Sequence, residues 1–339
     1  MSNVFVYLEI EDGIVADVSL ELLSKGKKLA NELGVKLEGI LIGSDLKGVE
    51  KQIFPYGVDV LHLGDDARLK HFLTLPHASI VNGLLAEYKP QIVLFGATSI
   101  GRDLAPRVAS ASRCGLTADC TSLVIGDHVE AATKKSYKNL LYQIRPAFGG
   151  NIIATIINPD MHPQMATVRE GVMKKEIFDA AYSGQVVGID VNKYVSDTDF
   201  AVSILERHIE KSKINIKGAP IIVAGGYGVG SKANFKLLYE LAEVLGGEVG
   251  GSRAAVDAGF IDHERQIGQT GVTVRPKLFI ACGISGAVQH RAGMQESSMI
   301  ISINTDKNAP INAIADYTII GDLSEVIPKM IKYYKANSK

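Results

Sequence analysis

The feature that most constrains this chain is a regular exchange of short apolar runs and amphipathic segments from its first residues onward. NVFVYLE (3–9), KLEGILIG (36–43), VDVLHLG (58–64) and QIVLFGA (91–97) are each short enough for one buried strand. VSLELLSKGKKLANELG (18–34) and SIVNGLLAEY (79–88) between them carry a helical period. Strands separated by helices demand crossover connections, so the pattern predicts an α/β fold with a parallel sheet. GRDLAPRVASASR (101–113) continues as a helix if Pro106 falls in its first turn, where a missing N–H costs nothing. The rhythm then changes. DCTSLVIG, HVEAATKK, NLLYQI and NIIATIIN leave no room for helices and predict added antiparallel strands that finish the first domain.

AYSGQVVGIDVNKYVSDTDF (181–200) has no sustained period and collects Gly, Ser and Asp, a linker composition. A second α/β unit follows. PIIVAGG (220–226) is a strand ending in glycines, and SKANFKLLYELAEVLGG (231–247) is a helix with Ser231 as candidate N-cap and Gly246 or Gly247 as its stop. KLFIACG, MIISINTD and YTIIGD are three more buried strands, and SEVIPKMIKYYKAN is a last helix. The expected layout is an N-terminal α/β domain over 1–195, a linker over 196–210 and a Rossmann-like parallel-sheet domain over 211–339. At 339 residues, two cores are the expectation from length as well.

Composition narrows the partners. Thirty-six basic and thirty-seven acidic side chains leave a formal net charge of -1, which gives no electrostatic reason to expect nucleic acid or an anionic membrane. No apolar stretch is long enough to span a bilayer, and MSNVFVYLEI lacks a basic leader, so a cytoplasmic protein is expected. Cys114, Cys120 and Cys282 form no metal-binding or disulfide pattern and read as small buried hydrophobes.

Three glycine-rich turns are candidate sites. GGYGVGSK (225–232) follows a strand and could cradle phosphate. It fails the dinucleotide fingerprint at Ser231 and fails the Walker pattern because that serine precedes Lys232. CGISGAVQHRAG (282–293) adds Ser285, Gln289 and His290, and GQTG (268–271) adds Gln269 and Thr270. None carries a nucleophile dyad, paired carboxylates or metal-ligand spacing, so together they suit holding a ligand more than breaking a bond. A stand-alone NAD-dependent oxidoreductase using GGYGVG as its phosphate loop, or a nonredox nucleotide-binding module, remains open on these residues alone.

GGSRAAVDAG, QIGQTG, ACGISGAVQH, SINTDKNAPI and ADYTIIGDL, in that order between residues 250 and 323, resemble the C-terminal half of the alpha subunit of electron transfer flavoproteins. The resemblance implies FAD bound in an extended pose and a heterodimer with a beta subunit. It places Arg253 over the isoalloxazine, Thr270 near N5 and His290 near the C2 carbonyl. It also implies that Ser252, Gln266, Gly268, Gln269 and Gly271 line the ring and ribityl chain. Ser285, Gly286 and Gln289 would meet the pyrophosphate, and Asn304 and Asp322 the adenosine end. Such residue types suit a flavin that gains negative charge on reduction: a charge-assisted contact worth roughly 1.5 to 3 kcal/mol corresponds to roughly 60 to 130 mV in a one-electron couple. Arginine's planar, weakly hydrated group can stack on the ring.

Tyr227 stands where many relatives carry arginine, which puts any anion contact of that arginine in doubt. The N-terminal half resembles the family through GRDLAPRVA and RCGLTADCT. QIRPAFGGN (143–151) resembles the form in electron-bifurcating members, where Arg145 would face a second flavin in the beta subunit. The implied function is electron transfer through FAD with acyl-CoA dehydrogenase type partners, with NADH-driven bifurcation as its extension.

Overall fold

A computed structural model describes residues 3–147, 152–207 and 216–337, and divides the chain into two compact units, 1–207 and 208–339. Both are built on parallel sheets.

The first unit contains β1 (Val4–Leu8), a small hairpin of β2 (Ile10–Glu11) and β3 (Ile14–Val15), α1 (Asp17–Leu33), β4 (Leu37–Gly43), the single turn α2 (Glu50–Ile53), β5 (Val60–Asp65), α3 (Thr74–Tyr88), β6 (Ile92–Gly96) and α4 (Ser99–Ser112). Next come β7 (Leu116–Cys120), β8 (Ser122–Val129), β9 (Ser136–Ala147), β10 (Ile152–Ile156), β11 (Gln164–Val168) and β12 (Gln185–Gly188). Seven strands form one sheet in the order β12-β5-β4-β1-β6-β11-β7, every described pair parallel. Its central strands are apolar on both faces because each face is covered. In β1, Val4, Val6 and Leu8 enter one core with α1, while Phe5 and Tyr7 enter the other with α3 and α4.

Four expectations for this unit are corrected. The antiparallel strands β8, β9 and β10 do not finish the domain: they are inserted between β7 and β11, which are neighbours in the parallel sheet. HVEAATKK is the end of β8 plus the turn into β9, not a strand of its own. The segment with linker composition contains β12, whose Gln185–Gly188 pairs with Val60–Leu63 at the sheet edge. Four residues on an edge strand give too short a pattern to separate from a loop. Finally, Pro106 lies inside α4, which begins at Ser99 under a Thr98 cap accepting from Gly101 N at 2.9 Å. The helix tolerates it because Pro106 and Arg102, whose carbonyl loses a partner, both lie on the exposed side. Of the expected linker 196–210, residues 208–210 lie outside the described residues.

The second unit contains β13 (Ile221–Gly225), α5 (Phe235–Leu245), β14 (Glu248–Gly251), α6 (Arg253–Asp257), β15 (Leu278–Cys282), α7 (Val288–Arg291), β16 (Ile300–Asn304), β17 (Tyr317–Ile320) and α8 (Leu323–Asn337). Its five strands are all parallel in the order β14-β13-β15-β16-β17. Gly246 ends α5 in the left-handed conformation at φ 70°. Ser231 is not the N-cap: α5 starts at Phe235, and Ser231 instead accepts from Asn234 N at 3.2 Å in the preceding turn. The helices α5 and α8 contribute to the core on one face of the sheet. The other face is covered by Ile267, Val274, Ile284, Met294 and Ile311, mostly from connecting loops. Those loops carry the candidate site.

Candidate functional site

The strand order reverses direction at β13 and β15, and a doubly wound sheet opens a crevice at the carboxyl ends of its strands at such a point. The residues singled out in the sequence sit at or after these ends. Ser252 and Arg253 follow β14, Ser285 to His290 follow β15, Asn304 ends β16 and Asp322 follows β17. Four inter-strand spacings separate β14 from β17, about 19 Å at the usual 4.8 Å, a span suited to an extended dinucleotide.

Backbone contacts join the glycine clusters. Gly228 N donates to Gly283 O at 3.0 Å and Gly226 N to Cys282 O at 2.9 Å. A Cβ on Gly226 would lie 2.1 Å from Gly283 O. These glycines of GGYGVG are thus required by contact with the next loop, while Tyr227 is exposed and stacks on Phe260 at 5.8 Å.

Gly251 pairs with Gln266, and Ile267 N donates to Gly251 O at 2.8 Å, which fixes the GQTG turn beside β14. Gly271 N closes that turn on Gly268 O at 3.1 Å, and the Gln266 amide donates to Thr270 Oγ1 at 3.1 Å. The turn rests on α7: Gln269 N donates to Gln289 O at 2.7 Å, and a Cβ on Gly293 would meet Gly268 Cα at 2.5 Å. Gln266, Gly268, Gln269, Thr270, Gly271, Gln289 and His290 therefore form one contiguous group.

His290 is buried, and its Nδ1 lies 3.0 Å from the Ile267 carbonyl, an oxygen that can only accept. The ring proton therefore sits on Nδ1, leaving Nε2 as an acceptor, buried and with no partner among the described residues. Burial lowers the His290 pKa from 6.5 to about 4, with the Ile267 bond opposing it, so the imidazole is neutral at pH 7. Arg291, next in the chain and not signalled as a site residue by the sequence, leaves its Nε buried with no partner among the described residues.

Ser252 is buried and caps α6 by accepting from Ala255 N. Arg253 is exposed, and among the described residues its one pairing is an i,i+4 contact with Asp257 at 3.4 Å, so little in the described fold holds its guanidinium. Ser285 O accepts from Ile311 N at 3.0 Å, and Gly286 adopts φ 90° where a Cβ would crowd Ile311 N at 2.4 Å. Asn304 is more occupied by the fold than expected: its amide donates to Ile284 O at 2.9 Å and its oxygen accepts from Asp306 N at 3.0 Å. Asp322 is exposed at the start of α8, accepting from Ser324 N at 2.8 Å; bonds from the Ser324 hydroxyl and backbone hold its carboxyl below the usual range. No described contact joins it to the rest of the group.

In the first unit, Arg145 lies half-buried on β9, and Phe148 to Asn151 of its motif lie outside the described residues. Arg102 and Arg169 reach the two oxygens of Asp119 at 3.2 and 3.6 Å. Burial lowers the Arg169 pKa; Asp119 offsets this, while nearby Arg102 and Arg145 add to it. Arginine thus outnumbers carboxylate three to one around Asp119. All three cysteines are free; Cys120 and Cys282 are buried, and Cys114 only half-buried. Among the described residues no group of His, Cys, Asp or Glu could hold a metal, and no helix is long and apolar enough to cross a membrane.

Comparison with known proteins agrees with this layout. The family model of the electron transfer flavoprotein domain matches residues 4–194, and that of the electron transfer flavoprotein FAD-binding domain matches 215–295. The chain is 46% identical over 334 residues to the electron transfer flavoprotein subunit alpha of Thermoanaerobacterium thermosaccharolyticum, covering 98% of each chain. It is 49% identical over 336 residues to protein FixB of Clostridium saccharobutylicum, covering 98% of this chain and 96% of that one. It is 42% identical over 352 residues to the acryloyl-CoA reductase electron transfer subunit beta of Anaerotignum propionicum, covering 98% and 95%.

Proposed function

The chain belongs to the electron transfer flavoprotein family as an alpha subunit, and on that premise we propose that it passes electrons through FAD at the carboxyl ends of β14 to β17, paired with a beta subunit. The observation that carries this reading is the convergence of the GQTG turn and α7 on a buried imidazole nitrogen that has no partner among the described residues. Bound FAD supplies one- and two-electron chemistry. The chain's own residues govern how charge is met there. Arg253, weakly paired and exposed, brings a guanidinium without first breaking a buried bond. His290 Nε2 accepts a hydrogen bond, or takes up a proton when negative charge accumulates beside it. Gln266, Gln269, Thr270 and Ser252 line the ring end, Ser285, Gly286 and Gln289 the pyrophosphate, and Asn304 and Asp322 the adenosine end.

Acyl-CoA dehydrogenase type enzymes are the proposed exchange partners, in the cytoplasm. The name of the Anaerotignum relative supports an acyl-CoA-linked partner. NADH-driven bifurcation through a second flavin in the beta subunit, facing Arg145, extends the proposal. Its support is the cationic surroundings of Asp119, which suit a negatively charged cofactor.

The test is reconstitution with the beta subunit and FAD. The complex should be yellow, and Arg253→Ala should lower the potential of the bound FAD by about 60 mV or more while leaving the chain folded. A colourless complex, or an unchanged potential in the variant, overturns the assignment. Two flavins per heterodimer with reduction by NADH support bifurcation; one flavin indicates a simple shuttle.

A further inference from the structure

The first unit has its own crevice at the carboxyl ends of β1, β4 and β6, enclosing a cavity of about 820 Å³. It lies where the strand order turns, since β4 and β6 flank β1 on opposite sides. In a sheet of this kind the amino ends of the following helices make a seat for phosphate. Here that seat is filled by the chain itself. Glu9, immediately after β1, accepts from Thr98 Oγ1 at 2.9 Å at the start of α4, and a Cβ on Gly96 would meet its Oε1 at 2.9 Å. Its backbone is tied to the start of α1: Ala16 N donates to Glu9 O at 2.9 Å, and Glu9 N donates to Ser19 Oγ at 2.9 Å. A carboxylate fixed in the phosphate position repels phosphate.

The rest of the lining has the same sign. Glu9, Glu11, Asp12, Asp45 and Glu170 face two permanent cations, Lys70 and Arg207, and Arg207 is already paired with Glu11. Ile10, Ile42, Leu69, Phe72 and Ile100 add apolar surface to the lining. Tyr7 also lines the cavity; it is 2% exposed, yet its hydroxyl has no hydrogen-bond partner among the described residues. The cavity is therefore rich in acceptors, net negative and partly lined by hydrocarbon.

We propose that this crevice binds a small organic cation, an aliphatic polyamine, with its methylenes along this apolar surface and its ammonium groups on Glu9, Asp45 and Glu170. Its lining belongs wholly to the first unit, whereas the FAD residues all belong to the second. Glu9 makes binding legible through protons. Burial, and then Glu170, raise its pKa from 4.5 to about 7, with the Thr98 bond opposing them. Of the other groups lining the cavity, Glu11, Asp12 and Asp45 share its sign, Arg207 and Lys70 oppose it, and Tyr7, His71 and His77 complete the titratable set. An ammonium placed beside Glu9 lowers that pKa and releases a proton near neutrality.

Spermidine titrated calorimetrically into the full chain, with FAD and the beta subunit bound, tests this. One equivalent should bind, with proton release at pH 7 read as a difference in heat between phosphate and Tris buffers. AMP should not bind at this site or compete. Glu9→Gln should abolish the proton release. Asp45→Asn with Glu170→Gln, both at exposed positions, should weaken binding at least tenfold without changing the FAD spectrum. Absence of saturable spermidine binding, affinity unchanged in the double variant, or competition by AMP overturns the proposal.

Discussion

Glu9 and His290 are buried titratable groups displaced in opposite senses, and each ties stability to pH in its own direction. The folded His290 has its pKa lowered from 6.5 to about 4 by burial, so between those values the unfolded chain binds more protons than the native one. Stability therefore falls as pH drops from 6.5 to 4, by an amount on the order of 3 kcal/mol. His77, lowered to about 4 chiefly by burial, acts the same way in the first unit. Glu9 is raised to about 7, so the native state holds its proton longer, and stability is lost as pH rises from 4.5 through 7. Glu9→Gln should thus raise the melting temperature of the first unit at pH 8 and change little at pH 5; equal effects at both would show that Glu9 titrates normally. His290→Asn should remove acid destabilisation of the second unit and flatten the pH dependence of the bound FAD's potential. An unchanged potential-against-pH curve would place His290 Nε2 away from the flavin.

At the scale of elements, what could be read from sequence depended on how each element is stabilised. β1 and β6 are apolar on both faces, β4 is so but for Glu38, and α1 and α5 end at Gly34 and Gly246, so local pattern and caps announce them. β11 and β12 are short runs whose place is set by long-range pairing: β11 slots between β6 and β7 after an inserted antiparallel sheet, and nothing local signals it. In the site, residue types and order were legible, whereas the protonation of His290 and the occupied amide of Asn304 depend on tertiary contacts. The turn from Gly268 to Gly271 against α7 shows the same dependence, because it needs a residue without a side chain at a distant position. Gly293→Ala would place a methyl 2.5 Å from Gly268 Cα and force the two segments apart. It should destabilise the second unit by about 2 kcal/mol and weaken FAD binding at least tenfold, measured by thermal unfolding without FAD and by flavin fluorescence titration. Wild-type values for both would mean that the turn and α7 are not in backbone contact.

At the scale of the whole molecule, the arrangement of charge and apolar surface bears on assembly. A formal net charge of -1 supplies no general attraction to a partner, so pairing with a beta subunit must be driven locally. The inserted antiparallel sheet offers a local means. β10 is an edge of that sheet, with Ile152 and Ile153 exposed at 53% and 73%, and Val124 and Val129 on β8 are exposed at 39% and 57%. Such an edge with apolar side chains is costly to leave in water and suits burial by another chain. Ile153→Lys adds a charge at the most exposed of these positions without touching either parallel core. It should raise the heterodimer dissociation constant at least tenfold in analytical ultracentrifugation, while the wild-type value changes little between low and high salt, because apolar burial is not screened as surface charge is. A steep salt dependence, or a variant that pairs as tightly as the wild type, would move the interface from this apolar edge to the arginines around Asp119.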